Sequence, residues 1–292
     1  MSTPAGLSAN LIGRETELHR IAACVAAGRN VLLEGPVGVG KTHLAIRVAE
    51  KAKRPVFRVD GDSRYTEQKL TGWFDPPSIL KHGYNAKSFF PGPLVEAMRA
   101  GGVLFINELN RLPEGVQNIL LPAIDERMIQ VPRLGEILAK KGFLVIATQN
   151  PKEFVATSHL SEAILDRFEL VALSYQSEAD ELKIVTGRVK QTGKKAADAA
   201  WFAEAAVALT RATRNHERIK RGASVRAAIA IAEIALELHS DDRVRAFVDA
   251  ALVALPTRIE LDRDPDGAES PQAALEALIR ELAEQALAKK KS

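Results

Sequence analysis

Two stretches hold residues whose types and spacing could do chemistry. The first is GPVGVGKT, Gly35 to Thr42, with glycine at its first, fourth and sixth positions and a closing Lys-Thr pair. Backbone N–H groups can turn inward around an oxyanion only where glycine permits unusual dihedrals, and a helix start behind them adds positive potential. The apolar run NVLLE precedes the stretch and the helical pattern THLAIRVAEKA ends it, which is the context such a phosphate loop requires. Pro36, Val37, Gly38, Val39, Gly40 and His43 would then line the phosphates. Lys41 would reach the β and γ phosphates of ATP, or the β phosphate of ADP, and Thr42 would hold Mg2+.

The second stretch is FINELNR, Phe105 to Arg111, at the end of another apolar run. A phosphate-handling site usually closes such a strand with Asp-Glu, the aspartate on the water shell of the metal and the glutamate on the attacking water. Here Asn107 and Glu108 stand in those places. An amide oxygen can still accept from a metal-bound water, and losing the charge weakens that contact by about 1–2 kcal/mol. The expectation is a working site in which Asn107 is a metal-side ligand and Glu108 takes the proton from water. A binding-only nucleotide switch with little hydrolysis is the alternative that the incomplete acidic pair leaves open.

The elements that must position these residues follow from periodicity. Five short β-branched runs, 30–34, 56–60, 103–107, 143–148 and 169–174, alternate with helical patterns, as in a parallel α/β sheet. After Tyr175 the strand pattern stops and helical periods take over. This predicts an α/β nucleotide-binding domain over 1–175, with an insertion at about 61–93, and an all-helical lid over 176–292. The insertion reads as a long loop carrying Trp73, Phe74, Phe89 and Phe90 among glycines and prolines. DERMIQVPRLGEIL predicts a hairpin or turn, and 262–272 a polar loop before a closing helix.

Bulk composition narrows the class. The chain has 292 residues, 46% hydrophobic and 26% charged, ordinary for a globular protein. One cysteine, Cys24, allows no internal disulfide, and six scattered histidines show no metal spacing. With neither a secretion signal nor an apolar run of roughly 20 residues, a soluble cytoplasmic protein without a membrane span is expected. A net charge of +3 is too mild to imply nucleic acid. The basic segment 211–226, RATRNHERIKRGASVR, reads as a solvated helical face.

With both motifs placed, the chain resembles the AAA+ ATPases, and within them the MoxR family, over nearly its whole length. NLIGRETEL is similar to the family's start, which implies that Ile12 and Gly13 lie near the adenine. KLTGWFDP and FFPGPLVEAM resemble its insertion. VIATQNP resembles the sensor-one strand, which implies that Asn150 positions the lytic water with Glu108. LSEAILDRF resembles the segment with the arginine finger, mapping to Arg167, and RGASVRAA resembles sensor two, mapping to Arg226. Val225 stands where that motif usually has proline, so the helix start loses a residue that pre-sets its backbone. The resemblance implies a hexameric ring that remodels a protein client, with a partner bearing a von Willebrand factor A domain. Two other motors on this fold stay open, one acting on nucleic acid and one serving a metal chelatase. Against the first, Arg64, Lys69, Lys81 and Lys87 of the insertion are diluted by acids and prolines.

Overall fold

The computed structural model describes residues 11–150, 160–190, 196–238, 240, 242–262 and 270–288. They fall into two compact units, Met1–Ser174 and Tyr175–Ser292. The first unit runs α1 (Glu15–Ala26), β1 (Val31–Glu34), α2 (Lys41–Lys51), β2 (Val56–Asp60), α3 (Glu67–Thr71), β3 (Gly72–Phe74), α4 (Pro76–His82), β4 (Phe89–Pro91), α5 (Pro93–Ala100) and β5 (Val103–Asn107). It continues through α6 (Glu114–Asn118), α7 (Leu120–Asp125), β6 (Met128–Val131), β7 (Gly135–Leu138), β8 (Leu144–Gln149), α8 (Glu162–Leu165) and β9 (Glu169–Ala172).

The five apolar runs become β1, β2, β5, β8 and β9, all parallel in the order β2-β5-β8-β1-β9. Strands β5 and β8 bury every residue except the last, which is why their sequences are continuously apolar rather than alternating. Strand β2 is an edge and can leave Arg58 and Asp60 exposed. At the opposite end of the strands Asn30 ties three together: its Oδ1 accepts from Val145 N at 2.9 Å and its Nδ2 donates to Arg167 O at 3.3 Å.

The insertion is not a loop. Thr66 and Asp75 cap two short helices through Lys69 N and Ser78 N, and β3 pairs antiparallel with β4. Strand period decides where the aromatics go. Phe74 and Phe89 pack edge-on at 5.2 Å against the core of the first unit, while Trp73 and Phe90 stack at 6.0 Å and remain 48% exposed each. The segment 128–138 forms the predicted hairpin, β6 with β7. Arg133, in its turn, lies 4.0 Å over the ring of Tyr84.

A buried arginine fastens the first unit together around the phosphate loop. Arg14 is 2% exposed, and its guanidinium donates to Val39 O at 3.1 Å, Ser174 O at 2.6 Å and Glu17 Oε1 at 2.6 Å. One side chain thus joins α1, the loop and the chain just after β9.

The second unit contains α9 (Glu178–Val189), α10 (Ala196–Arg214), β10 (Ile219–Arg221), α11 (Val225–Glu237), α12 (Arg243–Ala254), β11 (Glu260–Leu261) and α13 (Pro271–Ala288). Its core sets Phe247, Leu209 and Ile231 among alanines such as Ala206, Ala228 and Ala250. The unit is helical as expected apart from one antiparallel ladder, β10 with β11, too short and too charged to show in periodicity. One expectation fails here: 211–226 is not one solvated helical face, since it ends α10, forms β10 and enters α11. Arg211 and Arg214 turn to Glu181, which is 1% exposed, at 3.1 and 2.8 Å. Of the polar loop expected at 262–272, residues 263–269 lie outside the described residues.

Removing one partner of a buried ion pair leaves the other uncompensated, at a cost of about 3–5 kcal/mol. Glu181→Gln is expected to lower stability by that order in urea unfolding followed by circular dichroism. Arg14→Met should cost about 3 kcal/mol in the same measurement, the lower end, because Glu17 keeps some access to water.

Candidate functional site: the phosphate loop and the strand ends

Parallel register aligns the carboxyl ends of the strands. Glu34 is level with Gln149 and Asp60 with Asn107, and β8 pairs with both β1 and β5, so the loop after β1 emerges one strand away from the end of β5. Ligands of open α/β sheets bind outside these ends.

The loop closes into α2 through Gly40, whose φ of 94° is left-handed and strained for any residue with a Cβ. Val39 is buried under Arg14, whereas Val37 and His43 are exposed and Pro36 and Gly38 half-buried. Lys41 Nζ donates to Gly35 O at 2.5 Å and to Pro36 O at 2.9 Å, within the loop itself. Those acceptors are neutral carbonyls, and charged phosphate oxygens make stronger partners for an ammonium. Ile12 and Gly13 are half-buried and directly precede the Arg14 strut.

Asn107 stands at the centre of a hydrogen-bond chain. Its Oδ1 accepts from Thr42 Oγ1 at 3.3 Å and from Thr148 Oγ1 at 3.1 Å. Thr148 in turn accepts from the backbone N–H of Glu108 at 2.9 Å. The Nδ2 of Asn107 donates to Asp60 Oδ1 at 3.1 Å. Asp60 is also gripped by Arg58, with contacts of 2.7 to 3.1 Å, and that pairing holds its carboxyl below the usual carboxylate range. At the end of β1, Gln149 Nε2 donates to Glu34 Oε2.

Glu108 has φ 59° and ψ 60°, a left-handed backbone that costs a β-carbon residue of order 1 kcal/mol or more. Its neighbour Gly61 lies so near that a Cβ there would meet Glu108 O at 2.1 Å. The Glu108 carboxylate takes a hydrogen bond from Arg111 at 2.9 Å, one 3-10 turn further on. Both side chains are partly in water, and exposed pairs of this kind contribute about 0–1 kcal/mol, so Arg111 does not lock Glu108 away from other work.

Sequence reasoning brought the loop, Asn107 and Glu108 to one place, and they meet there. It missed Thr148, Arg14 and Asp60; a threonine inside an otherwise apolar run was the one available pointer to Thr148. Asn150 is buried just beyond β8, but the residue joining Asn107 to Glu108 is Thr148, two positions earlier. Arg167 is held apart from this set: its Nε donates to Asp125 Oδ2 and its Nη1 to Ala163 O, both at 2.6 Å. Arg226 belongs to the second unit, exposed in the first turn of α11.

Thr42 Oγ1 and Asn107 Oδ1 are oxygen donors, the kind a hard cation selects. Among the described residues no cluster of three His, Cys, Asp or Glu could hold a metal unaided. The donor set therefore fits Mg2+ that arrives with phosphates and water, the way that ion is commonly bound. No helix among the described residues is long and apolar enough to cross a membrane.

Comparison with known proteins agrees with this geometry. Residues 30–168 match the family described as AAA domain (dynein-related subfamily). An uncharacterized protein of Staphylococcus saprophyticus is 31% identical over 169 residues, 57% of this chain and 64% of the relative. The chain thus spans less than two thirds of the length of the first curated relatives it matches. A crystal structure of a candidate ATPase from Cytophaga hutchinsonii superposes with a TM-score of 0.50 at 22% identity, covering 92% of this chain and 89% of the other. The RuvB Holliday junction branch migration motor of Thermotoga maritima superposes with a TM-score of 0.53 at 17% identity, covering 83% and 70%. At such identities the likeness is one of fold. The chain has the α/β AAA+ fold, a P-loop parallel-sheet unit followed in sequence by a helical lid unit, and the match to the AAA domain family lies within the first of these, at residues 30–168.

Proposed function

We propose that the protein is a MoxR-type AAA+ ATPase that binds ATP with Mg2+, hydrolyses it to ADP, and works as an oligomeric ring on a partner protein in the cytoplasm. The observation that supports it most is the continuity from the phosphate loop to the backbone of Glu108: Thr42, Asn107, Thr148 and the Glu108 N–H form one hydrogen-bonded set at the strand ends. Lys41, which donates to two neutral carbonyls of its own loop, would exchange them for β and γ phosphate oxygens. Mg2+ bound with the nucleotide would supply charge neutralisation at the phosphates. The Glu108 carboxylate would take the proton of the attacking water as that water's oxygen bonds the γ-phosphorus, and ADP leaves.

The trans-acting group in this reading is Arg167, pointed by its pair with Asp125 rather than by its own nucleotide site. A ring, hexameric by resemblance, would then be needed for turnover, and Arg226 of the lid would touch the phosphates from its own chain. The Trp73–Phe90 stack is the exposed aromatic surface available to a protein client, which could come with a von Willebrand factor A domain partner. Phe74 is withdrawn from that role, since it packs inward. A second reading, a nucleotide switch with little hydrolysis, is favoured by one observation, the neutral amide of Asn107 where such sites usually hold a carboxylate.

Lys41→Ala is expected to weaken ATP binding by roughly 10- to 100-fold in a fluorescent-nucleotide titration, the worth of a hydrogen bond between charged groups. Glu108→Gln should bind ATP as wild type does while phosphate release falls by roughly 100-fold or more; a slow wild type matched by this variant would favour the switch. Arg167→Ala should reduce turnover by about 1,000-fold, and wild-type turnover per subunit should rise with protein concentration. Full activity of the Arg167 variant in dilute solution would remove the trans-acting role.

A further inference from the structure

The amide of Asn107 has two chemically opposite ends, and only one of them can serve a cation. Its polarity is not left to chance. The Glu108 N–H donates to Thr148 Oγ1, and the Thr148 hydroxyl gives its own proton to Asn107 Oδ1, a contact that suits Oδ1 on that side. On the other side stands the Asp60 carboxylate, which when ionised can only accept and therefore requires Nδ2. Asp60 alone demands this orientation, Thr148 accommodates it, and it turns Oδ1 toward Thr42.

Resting on the nucleotide-binding reading above, we propose that Asp60 is a positioning residue for the metal side of the site: it orients and polarises the Asn107 amide so that a neutral side chain presents a fixed acceptor where a carboxylate would otherwise stand. Strand register places the two residues side by side on β2 and β5. Three hydrogen bonds from Arg58 in turn fix the rotamer of Asp60. The negative charge that Asn107 lacks is thus retained one residue away, on the adjacent strand, and reaches the site through a charge-assisted hydrogen bond. The amide alone could turn over and offer Thr42 its NH2, which would repel a cation and its water donors. Asp60 removes that state.

The test measures fluorescent ADP binding with excess Mg2+ and again with EDTA, the ratio of the two affinities being the Mg2+ enhancement. Asp60→Ala should leave binding in EDTA unchanged, which also reports an intact fold, and should reduce the enhancement by roughly tenfold, the worth of one charge-assisted hydrogen bond. Asn107→Asp added to Asp60→Ala should restore it, since a carboxylate presents an acceptor whichever way it turns. In nucleotide-free thermal melts with EDTA, Asn107→Asp alone should melt below that double variant, because it sets two carboxylates at the present hydrogen-bond separation of 3.1 Å. A surface role for Asp60, pairing with Arg58 only, predicts an unchanged enhancement in Asp60→Ala, and that result would overturn the inference while leaving nucleotide binding in place. A double variant as weak as Asp60→Ala, or no more stable than Asn107→Asp, overturns it equally. A wild type that binds no nucleotide in either buffer would instead bring down the proposed function itself.

Discussion

The arrangement depends on the parallel register of four neighbouring strands. Because β2, β5, β8 and β1 run the same way and end together, Asp60, Asn107, Thr148, Gln149 and Glu34 reach one edge of the sheet without any long-range loop having to carry them. A slip of one residue on β5 would send Asn107 to the opposite face and break the bonds to Thr42, Thr148 and Asp60 at once. Continuously apolar strands such as β5 and β8 carry no alternation to fix the register, so the polar residues at the strand ends hold it, Asn107 through Thr42, Thr148 and Asp60 at one end and Asn30 through Val145 N at the other. The left-handed backbone of Glu108 is stable only inside that frame. Its N–H is taken by Thr148, its carbonyl accepts from Arg111 N, and Gly61 gives it room.

What was legible in the sequence were the features set by local chemistry. Continuous apolar runs announced the five parallel strands, and the glycine spacing with Lys-Thr announced the phosphate loop. The features that stayed hidden arise where residues distant in sequence meet. Nothing local distinguishes Arg14 from any arginine near a helix start, yet it is buried because Val39 and Ser174 present carbonyls to it from 25 and 160 residues away. Asp60 looks like the polar end of an edge strand, and only its lateral partner gives it a part in the site. In the insertion, turn-forming residues masked the hairpin, and the alternation of strand faces then sorted Trp73 and Phe90 from Phe74 and Phe89.

The basic segment of the second unit shows how charge counting misleads when burial is unknown. Glu181, the partner that draws Arg211 and Arg214 inward, lies 30 residues upstream of Arg211 on α9. Arg214 gives a further hydrogen bond to Ala223 O at 2.7 Å, and the face of Tyr175 lies 3.9 Å from its guanidinium. Desolvating Glu181 and Arg214 is costly, and the contacts of the cluster fix a local geometry in return.

That geometry is the entry into α11. The absence of proline at Val225 removes the residue that would pre-set the first helical turn, and Ser224 makes no side-chain cap. The chain before the helix is held from outside instead. Thr213 Oγ1 accepts from Ala223 N at 2.9 Å while Arg214 holds the carbonyl of the same residue, so both polar groups of Ala223 are bound to the end of α10. Gly222 lies so close to Arg214 that a Cβ there would approach its Cα to 2.6 Å, which forces the two segments into contact. A proline acts by restricting one dihedral, whereas this clamp restricts a whole peptide unit and refers it to a helix whose own position is set by the buried ion cluster. The direction in which α11 begins, and with it the origin of Arg226 two residues into the helix, follows from Glu181 rather than from the residue at 225.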